Sequence, residues 1–131
     1  MKNNINSFDV IISGGGLSGC LMALNIAKLT KQDGSLLSIA IVEANELTRQ
    51  HDSPPLFDDR VLALSHGSAA YLADVGVWQH LTNDACAIEK IDISDRGHYG
   101  KARLKAKEHG VSALGYVIDM ALIGKGLLKE L

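Results

Sequence analysis

The chain has 131 residues, 47% hydrophobic and 21% charged, with Lys+Arg 13 against Asp+Glu 15. This excludes intrinsic disorder, and it excludes the polybasic field that neutralises phosphate backbones, so no nucleic-acid partner is expected. Two distant cysteines, Cys20 and Cys86, exclude a disulfide-built domain; with no secretory h-region and no ~20-residue apolar run, the expected home is the reducing cytoplasm.

Phe8–Ser13 is a compact apolar run ending at Gly14-Gly15-Gly16, which predicts a strand buried on both faces. From Leu17 the period becomes helical, with Leu17, Cys20, Leu21, Leu24 and Ala27 on one stripe and Lys28 and Lys31 in the last turn. Asp33-Gly34-Ser35 breaks this helix, and Leu37–Val42 predicts a second buried strand closed by Glu43. Strand, tight turn, helix and strand make one βαβ unit with a parallel pair and a right-handed crossover. Ala44–Asp59 is polar and carries Pro54-Pro55, so it reads as a long surface loop.

Arg60–Leu64 predicts a short strand, and Ser65 caps a helix over His66–Val75 with Ala69, Leu72 and Ala73 inward. Gly76 stands where a left-handed cap would fall, and Val77 and Trp78 anchor the helix end. Ile88–Ser94 and Ala102–Ala106 alternate apolar and polar, predicting an antiparallel pair with one wet face. An Asp95–Arg96 ion pair is expected at the turn between them. Leu114–Ile118 predicts another strand. Asp119 then caps a helix to Leu131, weakened by Gly124 and Gly126 at about 1 kcal/mol each.

The chemistry-bearing pattern is Gly14-x-Gly16-x-x-Gly19 between first strand and first helix. Gly14 permits the tight turn, Gly16 lets a diphosphate approach the backbone, and Gly19 lets helix and strand close. The free N–H groups of the helix start, at Leu17 and Ser18, together with the positive dipole end, suit the phosphates. Glu43 ends the second strand, where a carboxylate accepts hydrogen bonds from both ribose hydroxyls and repels a 2′-phosphate. The nucleotide is therefore FAD or NAD, which this motif alone does not separate. Arg60 reads as a solvated arginine at a loop end, or as a partner for Asp58 or Asp59. The five histidines show no metal-ligand spacing, so no metal is expected. Cys20 reads as a small core residue, and Ser65-His66 lacks the flanking glycines of a nucleophile elbow.

The stretches DVIISGGGLSGCLMALNIAK, FDDRVLALSHGSAAYLADVGVW, ISDRGHYGKARL and ALGYVIDMALIGKGL together resemble the class A flavoprotein aromatic hydroxylases of ubiquinone biosynthesis. The resemblance runs over essentially the whole chain. It implies an α/β fold: a Rossmann-like FAD-binding βαβ unit with an incomplete parallel sheet, plus part of an antiparallel substrate-domain sheet. Residues 1–87 would form the nucleotide-binding segment, 88–113 part of the substrate sheet, and 114–131 a strand and helix returning to the FAD domain.

The same resemblance implies an FAD-dependent monooxygenase that uses NAD(P)H and O2, through a flavin hydroperoxide, to hydroxylate a polyprenyl phenol. Gly14, Gly16, Gly19 and Glu43 match the family's diphosphate and ribose contacts. Arg60 matches the arginine of a D-x-R-x-x-A-L stretch beside the flavin, whereas Asp119-Met120 stands where such proteins carry a glutamate and a polar residue. No catalytic residue is assigned. Such proteins are roughly three times as long. The implication is an N-terminal fragment, inactive alone and holding FAD weakly or not at all, with an open sheet edge for self-association. The substrate's isoprenoid tail implies peripheral contact of the full-length protein with the inner membrane. Two other readings stay open at this point: an NAD-linked dehydrogenase or redox-sensing domain, and a non-catalytic nucleotide-binding or association module.

Overall fold

The computed structural model describes residues 7–45 and 60–131; most of the predicted 44–59 loop lies outside them. The order is β1 (Val10–Ser13), α1 (Leu17–Ile26), β2 (Ile39–Val42), β3 (Val61–Ser65), α2 (His66–Asp74), β4 (Cys86–Ile88), β5 (Lys90–Ser94), β6 (Lys101–Lys105), β7 (Gly115–Asp119) and α3 (Met120–Glu130). The fold is α/β, and its first unit is the expected βαβ. β1 and β2 are parallel, with Val10 opposite Ile39 and Ser13 opposite Val42.

These two strands are not buried on both faces. Ile11 is 65% and Val42 58% exposed, because α1 covers one face and a parallel sheet is buried only when both faces are layered. The lysines differ as well. α1 stops at Ile26, before Lys28 and Lys31, and each lysine ties the helix exit to another element. Lys28 Nζ donates to the Asp74 carbonyl at the C-terminus of α2 (2.8 Å), a site where a cation suits the helix dipole. Lys31 pairs with Asp9 (2.7 Å).

The second half departs further from the periodicity. The run Ile88–Ser94 is two strands, not one. β4 joins a three-stranded antiparallel sheet in the order β3-β7-β4, and β5 pairs with β6 in a separate ribbon. Between them the Glu89 carbonyl turns away to accept the Ala106 N–H (2.9 Å). The β5–β6 pairing is antiparallel, as expected, with Ile91 opposite Leu104. Its apolar face is open too, with Ile93 53% exposed. At its turn Asp95 pairs with the His98 ring, Nδ1 lying 2.9 Å from Oδ2, rather than with Arg96.

Ser65 caps α2 as expected, its hydroxyl accepting the Ser68 N–H (3.1 Å), and Gly76 is left-handed at φ +87°. Ala69 and Leu72 face inward, but Ala73 is exposed. It lies one residue past Leu72, about 100° round the helix from the buried stripe. Asp119, the last residue of β7, stands at the N-cap position of α3 as expected but makes no side-chain cap hydrogen bond. Its backbone is paired with Val61, and the Met120 N–H is met by the Arg60 carbonyl (2.8 Å).

The core lies between the three helices and β7: Cys20, Leu24, Leu72, Val75, Val77, Leu81, Ile118, Ile123, Leu127 and Leu128. Trp78 closes one end with its ring edge-on to Tyr116, 4.7 Å between centroids. Gly126 is there for contact rather than as a defect, since a Cβ would lie 3.0 Å from Leu81 Cδ2 and 3.3 Å from Val77 Cγ1.

At Gly115 the constraint is harder, for a Cβ there would lie 2.3 Å from the Leu64 carbonyl oxygen on β3. Gly115→Ala must therefore part the β3–β7 ladder. It should cost about 2 kcal/mol, read as a lower urea midpoint with unchanged slope; an unchanged midpoint would refute the close approach.

Candidate functional site

The site is built where β1 hands over to α1. The ladder persists to the first glycine, whose N–H donates to the Val42 carbonyl at the end of β2 (2.8 Å). Gly14 then turns at φ +100°, a conformation that side chains resist. Gly16 precedes the helix with ordinary extended angles (φ −68°, ψ −172°) and no side-chain cap, and a Cβ there would meet nothing within 4 Å. Gly19 is the opposite case, since its Cβ would lie 2.0 Å from the Gly14 carbonyl oxygen. One glycine keeps the mouth open and another lets α1 sit against β1, as the sequence pattern requires.

Helix starts leave their first N–H groups without intrahelical partners. Here the first turn carries no acidic residue, so the positive end of α1 is not neutralised from within the helix. Ser18 is exposed at this end, and Leu17 is half-buried.

Glu43, the first residue after β2, turns toward the glycines. Its Oε2 accepts the Gly15 N–H (2.7 Å), and its Oε1 accepts the Asn45 N–H (3.0 Å). The Gly15 and Asn45 amides hold its carboxyl below the usual carboxylate range. Oε1 also accepts from the Asn45 side-chain amide (3.4 Å), so with two lone pairs per carboxylate oxygen the acceptor position left for a further donor is on Oε2. The fingerprint glycines, Leu17, Ser18 and Glu43 are thus brought together. Arg60 belongs to another element. It precedes β3, and its Nη2 lies 3.8 Å from Met120 Sδ at the start of α3.

Two contributors escaped the sequence reading. Asn45 holds Glu43, and its only sequence signal is a polar residue two places beyond the acid. Cys20, fully buried in the core as expected, also brings its Sγ to 3.0 Å from the Gly15 carbonyl. Burial, and next the negative charge of Glu43, push its thiol pKa up, so it stays protonated. Beside Leu17 an apolar groove of about 510 Å³ runs between α1, β3 and α2, lined by Leu21, Leu62, Leu64 and Tyr71 among others. Among the described residues no cluster of His, Cys, Asp and Glu could hold a metal. No described helix is long and apolar enough to cross a membrane.

Two carboxylates, Glu43 at this end of the β1–β2 sheet and Asp9 at the opposite end, set an acid limit. Asp9 binds Lys31 and takes the Ser38 N–H (2.7 Å), which hold its carboxyl far below the usual range. Both Asp9 and Glu43 are lowered in the folded chain. Their contribution is therefore complete above the unfolded carboxylate pKa of about 4 and is lost as pH falls through the folded values. The thermal midpoint should drop on acidification below about pH 4, and Asp9→Asn should flatten that drop. Identical pH profiles for the two chains would contradict this.

No family model matches the chain. Over 125 residues, 95% of its length, it is 30% identical to a ubiquinone biosynthesis monooxygenase, COQ6, mitochondrial, of Danio rerio, of which it spans 25%. The human protein of the same name is 27% identical over 126 residues, 95% of this chain and 26% of its own length. The chain is homologous to the ubiquinone biosynthesis monooxygenases. It spans about a quarter of the length of these relatives. An uncharacterized Synechocystis protein is 31% identical over 93% of the chain and 27% of its own.

Among solved structures, p-nitrophenol 4-monooxygenase PnpA from Pseudomonas putida superposes with a TM-score of 0.64 at 18% identity, covering 92% of this chain and 28% of that one. A 2-methyl-3-hydroxypyridine-5-carboxylic acid oxygenase does so at 0.63 and 12% identity, covering 95% and 29%. The fold is shared with these monooxygenases, and it is the Rossmann-like α/β fold that the resemblance implies.

Proposed function

We propose that this chain carries the nucleotide-binding βαβ unit of an FAD-dependent monooxygenase that hydroxylates a polyprenyl phenol in ubiquinone biosynthesis. The observation that carries this reading is the seating of Glu43, whose carboxylate is fixed by the Gly15 N–H (2.7 Å) beside the open backbone of Gly16. The residues present fit FAD. A diphosphate has room at Gly16 and uncapped amides at Leu17 and Ser18, and a ribose hydroxyl meets the spare acceptor position on Glu43 Oε2.

When bound, FAD supplies the redox chemistry, taking electrons from NAD(P)H and activating O2 for transfer to the phenol. The chain's own part is placement. The glycine turn and Glu43 fix the diphosphate and ribose, and Arg60, at the head of β3, is assigned to the flavin side. The β5–β6 ribbon, with its open Ile91 and Ile93 face, is assigned to the substrate sheet. The substrate's polyprenyl tail would bring the whole protein to a membrane surface, and the edges of the two-stranded β1–β2 sheet offer a self-association face. Relatives named for ubiquinone biosynthesis support the substrate class.

Thermal unfolding with FAD and with NADH, each at millimolar concentration, tests the cofactor. A rise in midpoint with FAD that exceeds the rise with NADH is expected, since a ligand that binds only the folded state stabilises it by mass action. A larger rise with NADH would favour a dehydrogenase or redox sensor instead.

A further inference from the structure

Gly15 is held through both of its backbone groups, which belong to successive peptide units. On one side its N–H is bound by Glu43 Oε2 (2.7 Å), and on the other its carbonyl faces the Cys20 thiol (3.0 Å). The Cys20 N–H also reaches the Gly16 carbonyl (3.0 Å), so residue 20 fixes two successive peptide units of the loop. The geometry has a directional consequence. In a planar trans peptide the C=O and N–H point in opposite directions. With the Gly15 carbonyl drawn down onto the buried thiol, the Gly16 N–H is directed away from the core. A Cβ at Gly16 would meet nothing within 4 Å, so there is open space at this residue.

We propose that Cys20 is a positioning residue for the nucleotide site: its S–H, donating to the Gly15 carbonyl, aims the Gly16 N–H into the diphosphate mouth. The consequence for nucleotide rests on the FAD reading above; the brace itself does not. A thiol suits the place because the site is small and fully buried, and a protonated sulfur is a weak but sufficient donor where water is absent.

Cys20→Ala and Cys20→Ser both shrink the side chain, but only serine keeps a donor. Amide hydrogen exchange of Gly15, whose N–H is bonded to Glu43, measured by NMR without nucleotide, should speed up about tenfold in Cys20→Ala and stay within about twofold of the parent in Cys20→Ser. FAD affinity should follow the same order. Equal exchange in the two variants would overturn the proposal. Exchange that responds as expected in a chain that binds no FAD would leave the brace standing and overturn the nucleotide reading. A measurement without any change at Cys20 guards against misfolding: in Cys86→Ala the infrared S–H band, then from Cys20 alone, should lie below the free-thiol frequency. A band at the free-thiol position would overturn the proposal.

Discussion

Gly16→Val should fold and lose FAD. The backbone angles at Gly16 (φ −68°, ψ −172°) are open to any residue, and a Cβ there touches nothing within 4 Å. The cost to the fold is thus that of a poorer residue at the helix entry, about 1 kcal/mol. The added isopropyl group, however, fills the space a diphosphate needs, and it separates the phosphates from the amides of the first helical turn. Losing those charge-assisted hydrogen bonds should weaken FAD binding by about a hundredfold. Parallel titrations and thermal melts of both chains separate the two effects. Undiminished FAD affinity in Gly16→Val would place the nucleotide elsewhere.

Gly19→Ala should fail in the opposite manner, through the fold. A Cβ at Gly19 would lie 2.0 Å from the Gly14 oxygen and 3.0 Å from its carbon, both backbone atoms of the turn. No rotamer change relieves a clash with backbone, so α1 must move off β1. Moving it also disturbs Cys20 and Leu24, which anchor the helix in the core. A loss of about 3 kcal/mol and a midpoint lowered by about 10 °C are expected. FAD affinity should fall with it because the turn is displaced. A melt coincident with that of the parent would mean that helix and strand are not in this contact.

The difference between these two glycines explains why the site was legible in the sequence. Each fingerprint position answers to a local requirement, a positive φ at Gly14, access at Gly16 and contact at Gly19, and such requirements leave few residue types to choose from. The Ser65 cap and the left-handed Gly76 were legible for the same reason. What was not legible depends on partners distant in sequence. The division of Ile88–Ser94 is decided by β7, which takes β4 into its sheet, while the Glu89 carbonyl turns to Ala106. Nothing in the alternation of IEKIDIS marks that division. The exposure of Ile11 and Val42 escaped periodicity as well, because an apolar strand reads the same whether one face or both are covered. Lys28 looked like a cap for its own helix and instead meets the carbonyl end of α2. Cys20 was read as filling and also donates to Gly15, a role that depends on how the loop returns over the helix.

The central claim is tested most directly by mapping FAD onto the backbone amides of the isotopically labelled chain by NMR. The expected result is a set of concentration-dependent shifts centred on Gly15, Gly16, Leu17 and Ser18 and extending to Glu43 and Asn45, absent when Gly16→Val is titrated alike. Shifts centred away from the glycine turn, or a glycine turn and Glu43 left unmoved by millimolar FAD, would contradict it.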